Sequence, residues 1–525
     1  MSANQAGLRL GEVVDPETGD RTGTPVILPT HHLTTHGVIV GMTGSGKTGL
    51  GVVMLEEALL AGVPVLVLDP KGDMGNLLLT FPELEPGDFR PWIDPAEARR
   101  KGVDLDEHAR DVAEEWRTGL ASWDIGPARI RRLRDSAAFT VYTPGSGAGV
   151  PLNLLGALTA PAADDAGDPE AVRDEIEGFV SGLLAIAGID ADPLSSPEHI
   201  LLSSVIEHEW DAFYPEKERR KLAVRLNGLL ASPAFESWMD GRPLDLDTLL
   251  RTPDGRPGAA IVYLAHLSEA ERQFVVTLIL TRLIAWMRRQ PGTSDLRVLV
   301  YMDEMFGFAP PTAQPPSKKP ILTIFKQGRA HGVGMVVSTQ NPVDLDYKVI
   351  SNAGTWMLGR LQTERDKARV LEGLRSASGA VDLPAVDDLL SGLRKREFVL
   401  RTTRSPEPAV FTTRWAMSYL RGALTREEVR RLMAGADPTP ERTAVGADAG
   451  SPAGPGVTAS GAGSAPPPGE APVADDETPL APAVPDSVPG PLPGSGRTLG
   501  RGAAGRTDVD PAGARPRRPA PAPVR

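Results

Sequence analysis

One glycine-rich segment of the chain has the residue types and spacing needed to hold phosphate. Residues 41–48 read Gly-Met-Thr-Gly-Ser-Gly-Lys-Thr, which fits the pattern G-x-x-x-x-G-K-[ST]. The glycines let backbone N–H groups turn toward a β-phosphate, Lys47 reaches the β- and γ-phosphate oxygens, and Thr48 offers a hydroxyl to Mg²⁺. An apolar run, "GVIVG", precedes the segment and a helical pattern through Leu60 follows it. The segment therefore predicts a nucleotide site formed by Gly41, Met42, Thr43, Gly44, Ser45, Gly46, Lys47 and Thr48.

A second segment supplies the carboxylates that such a site needs. The run "VLVYMDE" places Asp303 at the carboxyl end of a buried strand, the edge at which ligands of open parallel sheets bind. We expect Asp303 to hold a Mg²⁺-bound water and Glu304 to polarise the water that attacks the γ-phosphate. The alternative is that the pair caps a helix.

A third segment, "FKQGRAHGVGMVVSTQNPVDLD" (325–346), narrows the class of chemistry. Gln340 ends another apolar strand, so its amide can lie near the γ-phosphate. Arg329 precedes that strand and is either a solvated surface charge or, in a ring of subunits, a group that reaches the nucleotide of a neighbour. An arginine supplied in this way accelerates phosphoryl transfer roughly 10³–10⁵-fold.

The elements around these residues predict an α/β fold with a mostly parallel central sheet. Continuous apolar runs separated by helical segments are typical of strands covered on both faces. Ser268 and Glu271 form a capping-box pattern at the start of one helix. The predicted strands are 37–41, 64–70, 137–144, 259–267, 296–304, 333–340 and 355–361.

The chain divides into predicted segments by composition. Residues 1–36 form a short N-terminal β segment, and residues 37–164 and 251–420 form the two parts of the α/β core, the second of which includes a C-terminal hairpin. Residues 165–250 read as an all-helical insertion, and residues 421–435 as a C-terminal helix. The Pro/Gly/Ala-rich tail, 436–525, has too few apolar residues to fold. Its final thirty residues hold seven arginines and two aspartates, so the tail is either a solvated linker or a weak tether for nucleic acid or an acidic partner.

Bulk composition limits the classes of protein without selecting one. The chain has 525 residues, no cysteine and a net charge of −12, which excludes disulfides and argues against a surface that coats nucleic acid. We find no run of apolar residues long enough to span a membrane and no signal-peptide pattern, so we expect a cytoplasmic protein.

Four stretches together resemble the HerA branch of the HerA/FtsK superfamily of hexameric P-loop motors. They are "HGVIVGMTGSGKT", "VLVLDPKGDMGN", "LVYMDEMFGFAPP" and "GRAHGVGMVVSTQNPVDLD". The resemblance implies a RecA-like P-loop NTPase that binds ATP and Mg²⁺ between the subunits of a homohexameric ring and has helicase or DNA-translocase activity. It also implies that Glu304 and Gln340 act in cis, that Arg329 acts in trans, and that Asp69 lies near the nucleotide.

The sequence indicates what the protein acts on less clearly than it indicates the ATPase itself. The proline-rich loop after Asp303 offers Lys318 and Lys319 as contacts to the phosphates of double-stranded DNA, or as solvated charges only. Three functions remain open: a double-stranded DNA translocase that works alone or with a nuclease or another effector, an ATPase subunit of a defence, conjugation or secretion assembly, and a nucleotide switch. Glu304 argues against the switch, which needs no hydrolytic carboxylate.

Overall fold

The computed structural model describes residues 7–15, 17–154, 169–189, 196–207, 237–361, 363–378 and 383–435. The predicted disordered tail lies outside these residues. The strands are β1 (Gly7–Val14), β2 (Arg21–Pro29), β3 (Gly37–Val40), β4 (Val65–Asp69), β5 (Ala138–Tyr142), β6 (Leu152–Asn153), β7 (Arg242–Pro243), β8 (Gly258–Tyr263), β9 (Val298–Met302), β10 (Val333–Thr339), β11 (Thr355–Leu358), β12 (Glu397–Thr402) and β13 (Ser405–Thr413). The helices are α1 (Lys47–Leu60), α2 (Pro86–Phe89), α3 (Pro95–Lys101), α4 (Leu105–Ala121), α5 (Pro127–Ser136), α6 (Pro169–Ile186), α7 (Pro197–Glu207), α8 (Leu246–Leu250), α9 (Glu269–Arg289), α10 (Lys318–Gln327), α11 (Tyr347–Asn352), α12 (Glu364–Ser378), α13 (Leu383–Gly392) and α14 (Arg426–Met433).

Eleven strands form one sheet in the order β2-β1-β13-β12-β11-β3-β10-β9-β4-β8-β5. The seven strands from β11 to β5 pair in parallel. Every residue of β3, β4, β8, β9 and β10 is buried, because helices cover both faces of this part of the sheet. The predicted strands therefore match the observed ones in type and place.

The order of the central strands is that of a RecA-like P-loop NTPase. The strand before the glycine-rich segment, β3, lies between β11 and β10, and β10 separates it from β9. The register aligns Thr339 with Val40 and Val337 with Met302, so the carboxyl ends of β3, β10 and β9 meet at one edge. That edge carries the predicted site residues.

Four antiparallel strands extend the sheet beyond β11. β12 and β13 form the predicted C-terminal hairpin, β1 pairs with β13, and β2 pairs with β1. The N-terminal β segment is therefore a hairpin that continues the core sheet.

The helix that follows the glycine-rich segment, α1, packs directly on the sheet. A Cβ placed on Gly51 of α1 would lie 2.2 Å from the Tyr301 hydroxyl, so α1 approaches β9 too closely for any other residue at position 51. α9 begins with the predicted capping box, in which Ser268 Oγ accepts from Glu271 N and the Glu271 carboxylate accepts from Ser268 N.

The described part of the chain contains no helix with the length and apolar composition of a membrane span.

The described residues of the predicted insertion, 165–250, include three helices and one short strand. Its described residues form α6, α7 and α8, and Phe179 of α6 packs against Phe274 of α9 with ring centroids 6.2 Å apart. The expectation that it holds no strand is wrong, because β7 pairs with β6 and Arg242 N donates to Pro151 O at 3.0 Å. Gly241, with φ of +102°, makes the turn that brings the two segments together.

Candidate nucleotide-hydrolysis site

The glycine-rich segment forms a loop between β3 and α1 whose backbone is held from three sides. Gly41 N donates to Thr339 O at the end of β10, and Met42 N donates to Arg360 O just after β11. On the third side, Arg396 N donates to Ser45 O at 2.9 Å. Since neighbouring strands fix the loop, its N–H groups are already arranged to receive an anion.

Two glycines give this loop the conformation that the motif requires. Gly44 has φ of +77° and Gly46 has φ of +105°, both in the left-handed region that L side chains rarely adopt. Gly46 is the N-cap of α1, so the positive end of a helix of 14 residues adjoins the loop. A Cβ on Gly44 would meet nothing within 4 Å, which leaves open space over the loop.

Lys47 is a buried cation whose ammonium group donates to no carboxylate among the described residues. Its Nζ donates to Gly41 O and Met42 O, both within the loop. Burial lowers the pKa of Lys47 to about 8, against the opposing effect of Glu304. An ammonium group held against the loop by carbonyls fits a phosphate ligand. These residues fit the predicted ligands: Lys47 and the loop N–H groups would hold the nucleotide phosphates, and Thr48 and Asp303 would hold the Mg²⁺.

Asp303 and Glu304 follow β9 directly, as the sequence predicts. Asp303 is 2% exposed, and burial raises its pKa while Lys71 opposes that effect. The Tyr301 hydroxyl donates to its Oδ1 at 3.3 Å. No helix begins at either carboxylate, because a loop separates them from α10, and this removes the helix-cap interpretation.

Glu304 receives two hydrogen bonds on one carboxylate oxygen. Its Oε2 accepts from Lys71 Nζ and from Gln340 Nε2, each at 2.7 Å. Glu304 also has φ of +50°, a left-handed conformation that is unusual for a non-glycine residue and is found at functional sites.

Gln340 connects this glutamate to the glycine-rich loop. Its Nε2 donates to Glu304, and its Oε1 accepts from the Thr43 hydroxyl at 2.6 Å. The side chains of Thr43, Gln340 and Glu304 thus form a continuous chain from the loop of β3, across the end of β10, to the end of β9. Such a chain couples the position of the phosphate-binding loop to the position of the carboxylate.

Asp69, which the resemblance places near the nucleotide, lies near Asp303 at the carboxyl edge of the sheet. It is fully buried at the end of β4, and its carboxylate accepts from the backbone N–H groups of Gly72, Asp73 and Met74 at 2.7, 3.2 and 2.9 Å. Burial and the nearby Asp303 raise its pKa to about 7. Because both oxygens accept hydrogen bonds from this turn, Asp69 shapes the loop that carries Lys71.

Arg329 lies at the opposite edge of the sheet from Gln340. It belongs to the short 3-10 helix Gly328–His331 before β10, and Gln340 follows β10. The seven residues of β10 separate the two by about 23 Å at about 3.3 Å per residue. Arg329 is exposed, and within the described part of the chain it makes no ion pair. It therefore cannot serve the site of its own chain.

The two lysines proposed to contact DNA differ from each other. They begin α10, not a loop, and Lys318 is 3% exposed with its Nζ bonded to the carbonyls of Pro310, Pro311 and Ala313 and paired with Asp346 at 2.9 Å. The expectation that Lys318 contacts DNA is wrong, because its charge is enclosed and neutralised. Lys319 is exposed and pairs with Glu177 at 2.8 Å. It lines a cavity of about 810 Å³ between α6, α9 and α10, together with Lys326 and Lys348.

Sequence reasoning missed two residues of the site. Lys71 stands in the "DPKGD" segment that contributed to the resemblance, and a lysine two residues after a strand end was a usable signal. Arg396 has φ of +69° and supports the loop through its backbone, which no side-chain pattern reveals.

The strand order and this site define a P-loop NTPase of the RecA-like class. Residues 8–110 match the family described as the central domain of helicase HerA, which confirms the resemblance. No curated protein matches the chain.

Several solved structures are similar to the chain at low identity. VirB4 of Thermoanaerobacter pseudethanolicus is 13% identical, with 78% of this chain and 96% of that chain covered and a TM-score of 0.41. The bacterial conjugative coupling protein TrwBdeltaN70 is 13% identical, with 81% and 100% covered and a TM-score of 0.42. The genome packaging NTPase B204 from Sulfolobus turreted icosahedral virus 2, in complex with ATP-gammaS, is 14% identical, with 32% and 71% covered and a TM-score of 0.23. Because these scores are low, the fold assignment rests on the strand order of this chain.

Proposed function

We propose that this chain is a ring-forming HerA-like ATPase that hydrolyses ATP at the interfaces between its subunits and uses the energy to move double-stranded DNA. The observation that carries the hydrolytic part is the chain of hydrogen bonds from Thr43 through Gln340 to Glu304. It joins the phosphate-binding loop to a carboxylate at the carboxyl edge of the sheet, next to the proposed Mg²⁺ ligand Asp303. A protein that only bound nucleotide would need no such carboxylate.

In this proposal, Glu304 orients the water that attacks the γ-phosphate. Thr48 and Asp303 hold Mg²⁺, which neutralises charge on the phosphates. Lys47 and the loop N–H groups hold the nucleotide. Positioning and electrostatic stabilisation of this kind supply most of the catalysis in phosphoryl transfer.

The assembly part of the proposal rests on Arg329. An exposed arginine at the edge remote from its own site, with no ion pair among the described residues, is suited to reach the site of a second copy. A head-to-tail interface of this kind generates a ring when the rotation closes, and we propose a homohexamer. The site then lacks one positive charge until a neighbour provides it.

The DNA part of the proposal rests on Lys319, with Lys326 and Lys348 at the same cavity. These cations suit phosphate contacts that position a duplex without reading its sequence. If duplex DNA does not stimulate hydrolysis, the alternative function applies: an ATPase subunit of a defence, conjugation or secretion assembly.

The first experiment compares ATP hydrolysis by the wild type and E304Q, with and without duplex DNA. We expect E304Q to bind a fluorescent ATP analogue with unchanged affinity and to lose at least about 100-fold in kcat. A wild-type rate in E304Q would exclude hydrolysis by Glu304.

A mixing experiment tests the shared site. E304Q and R329A each lack one half of it, so we expect both to be inactive alone. A ring that contains both variants includes some interfaces with an intact Glu304 and an intact Arg329, and the mixture should recover part of the activity. No recovery, or full activity of a monomer, would refute the shared site.

A further inference from the structure

We propose that Lys71 is a positioning residue that holds Glu304 in its hydrolytic orientation. The inference rests on the proposed function, because it assigns a role at the same site. Lys71 Nζ lies 2.7 Å from Glu304 Oε2, and the two residues are 233 positions apart in sequence. The lysine side chain is 39% exposed and the glutamate 18%, so the pair lies at the mouth of the site and not in the core.

The loop that carries Lys71 is built to present it. Asp69 binds three successive backbone N–H groups of the turn that follows, from Gly72 to Met74. Gly72 has φ of +90°, and a Cβ there would lie 2.8 Å from the Tyr263 ring. Because the turn is fixed on both sides of Lys71, the ammonium group reaches Glu304 from a rigid base.

The two donors on Glu304 leave one oxygen for the reaction. Lys71 and Gln340 both bind Oε2, while Oε1 has no hydrogen-bond partner within the described residues. Two bonds to one oxygen fix the rotation of the carboxylate, and the second oxygen stays able to accept a proton from water. Glu304 needs this support, because its backbone is in a left-handed conformation that does not by itself select one side-chain orientation.

The charges around Lys71 suit this role. Burial alone would lower the pKa of Lys71, but its bond to Glu304 and the charges of Glu304, Asp303 and Asp73 raise it above the ordinary value. Lys71 therefore stays protonated at neutral pH. It remains a donor throughout the working range of the site.

The test measures kcat and KM for ATP in K71M, K71R and the wild type. We expect K71M to lose about 10- to 100-fold in kcat, since a small misplacement of a reacting group has effects of this size. Its KM and its affinity for a fluorescent ATP analogue should stay close to wild type, and K71R should restore part of the rate. K101M is the matched control, because Lys101 is a half-exposed lysine paired with Glu97 at 3.0 Å on the surface.

A double variant shows whether Lys71 acts through Glu304. If it does, K71M in the E304Q background should not lower the residual single-turnover rate further. An equal loss in both backgrounds, an unchanged kcat in K71M, or a faster K71M would overturn the inference. A wild-type rate in E304Q alone would instead refute the proposed function, so the two failures are distinguishable.

Discussion

Arg414 and Glu56 form an ion pair of 2.8 Å in which neither side chain is exposed to solvent. Arg414 follows β13, and Glu56 lies on α1, the helix that begins at the phosphate-binding loop. Arg414 also contacts Glu57 at 2.8 Å and donates to Arg9 O of β1. One guanidinium group thus joins the antiparallel extension to the helix of the nucleotide site.

Removal of this arginine should lower the stability of the folded chain. R414M leaves the buried Glu56 carboxylate without its cation, while Glu57 keeps its pair with Arg129, and we expect the free energy of unfolding to fall by about 3–5 kcal/mol. Urea denaturation measures the loss. R430A is the control, because Arg430 pairs with Glu427 on the surface, where ion pairs contribute little. Equal effects of the two variants would contradict a structural role for the buried pair.

Thr43 should affect turnover through its hydroxyl. T43V removes the donor to Gln340 Oε1, and because one hydrogen bond contributes about 0.5–1.5 kcal/mol, we expect kcat to fall about 2- to 10-fold. T43S keeps the hydroxyl and should stay near the wild-type rate. Steady-state assays at saturating ATP measure both. Equal rates in T43V and T43S would show that the link to Gln340 does not contribute.

His36 should make stability depend on pH. Burial lowers its pKa to about 3 from 6.5, and its Nδ1 accepts from Met335 N. The unfolded chain therefore takes up the proton first. The stability that His36 contributes is complete above about pH 6.5 and is lost as the pH falls toward 3, by up to about 1.4 kcal/mol per pH unit.

The variant H36N isolates this effect. Asparagine tolerates the φ of +61° at this position and offers an acceptor but has no proton to bind. Urea denaturation of both proteins between pH 7.5 and pH 4.5 should show a steeper loss of stability in the wild type. Parallel curves would mean that His36 does not titrate in this way.

Lys319 should influence DNA-dependent activity without a change in fold. K319A removes an exposed cation, so we expect weaker stimulation of ATP hydrolysis by duplex DNA and a shallower dependence on salt concentration. Thermal melting should remain near wild type, unlike that of K318M, which leaves Asp346 without its partner. Unchanged stimulation in K319A would remove the proposed contact.

The sequence predicted those parts of the fold and site that depend on residues adjacent in the chain. Buried parallel strands appear as continuous apolar runs, so the positions of β3, β9 and β10 could be read directly. Asp303, Glu304 and Gln340 each follow such a run, and the carboxyl ends of parallel strands share an edge. The glycine-rich loop carries its conformation in its own residue types.

Contacts between distant segments could not be predicted in the same way. Lys318 stands in a proline-rich stretch that indicates a solvated loop, yet the carbonyls of that stretch surround its ammonium group. Asp69 stands at a strand end, where a residue that contacts the nucleotide is expected. Its carboxylate oxygens instead accept hydrogen bonds from the N–H groups of the turn that follows. The hydrogen bond between Lys71 and Glu304 joins residues that follow β4 and β9 and are far apart in sequence. They come together only because these two strands are neighbours in the sheet.

The left-handed backbone at Glu304 is unfavourable for stability, although the proposed activity needs the carboxylate at this position. An L side chain in that conformation costs about 1–2 kcal/mol, which glycine avoids and asparagine reduces. A library screened only for heat resistance should therefore enrich Gly or Asn at position 304. Such variants would be more heat-stable than the parent protein but unable to hydrolyse ATP. A screen for thermostable variants of this chain must therefore be paired with an activity screen.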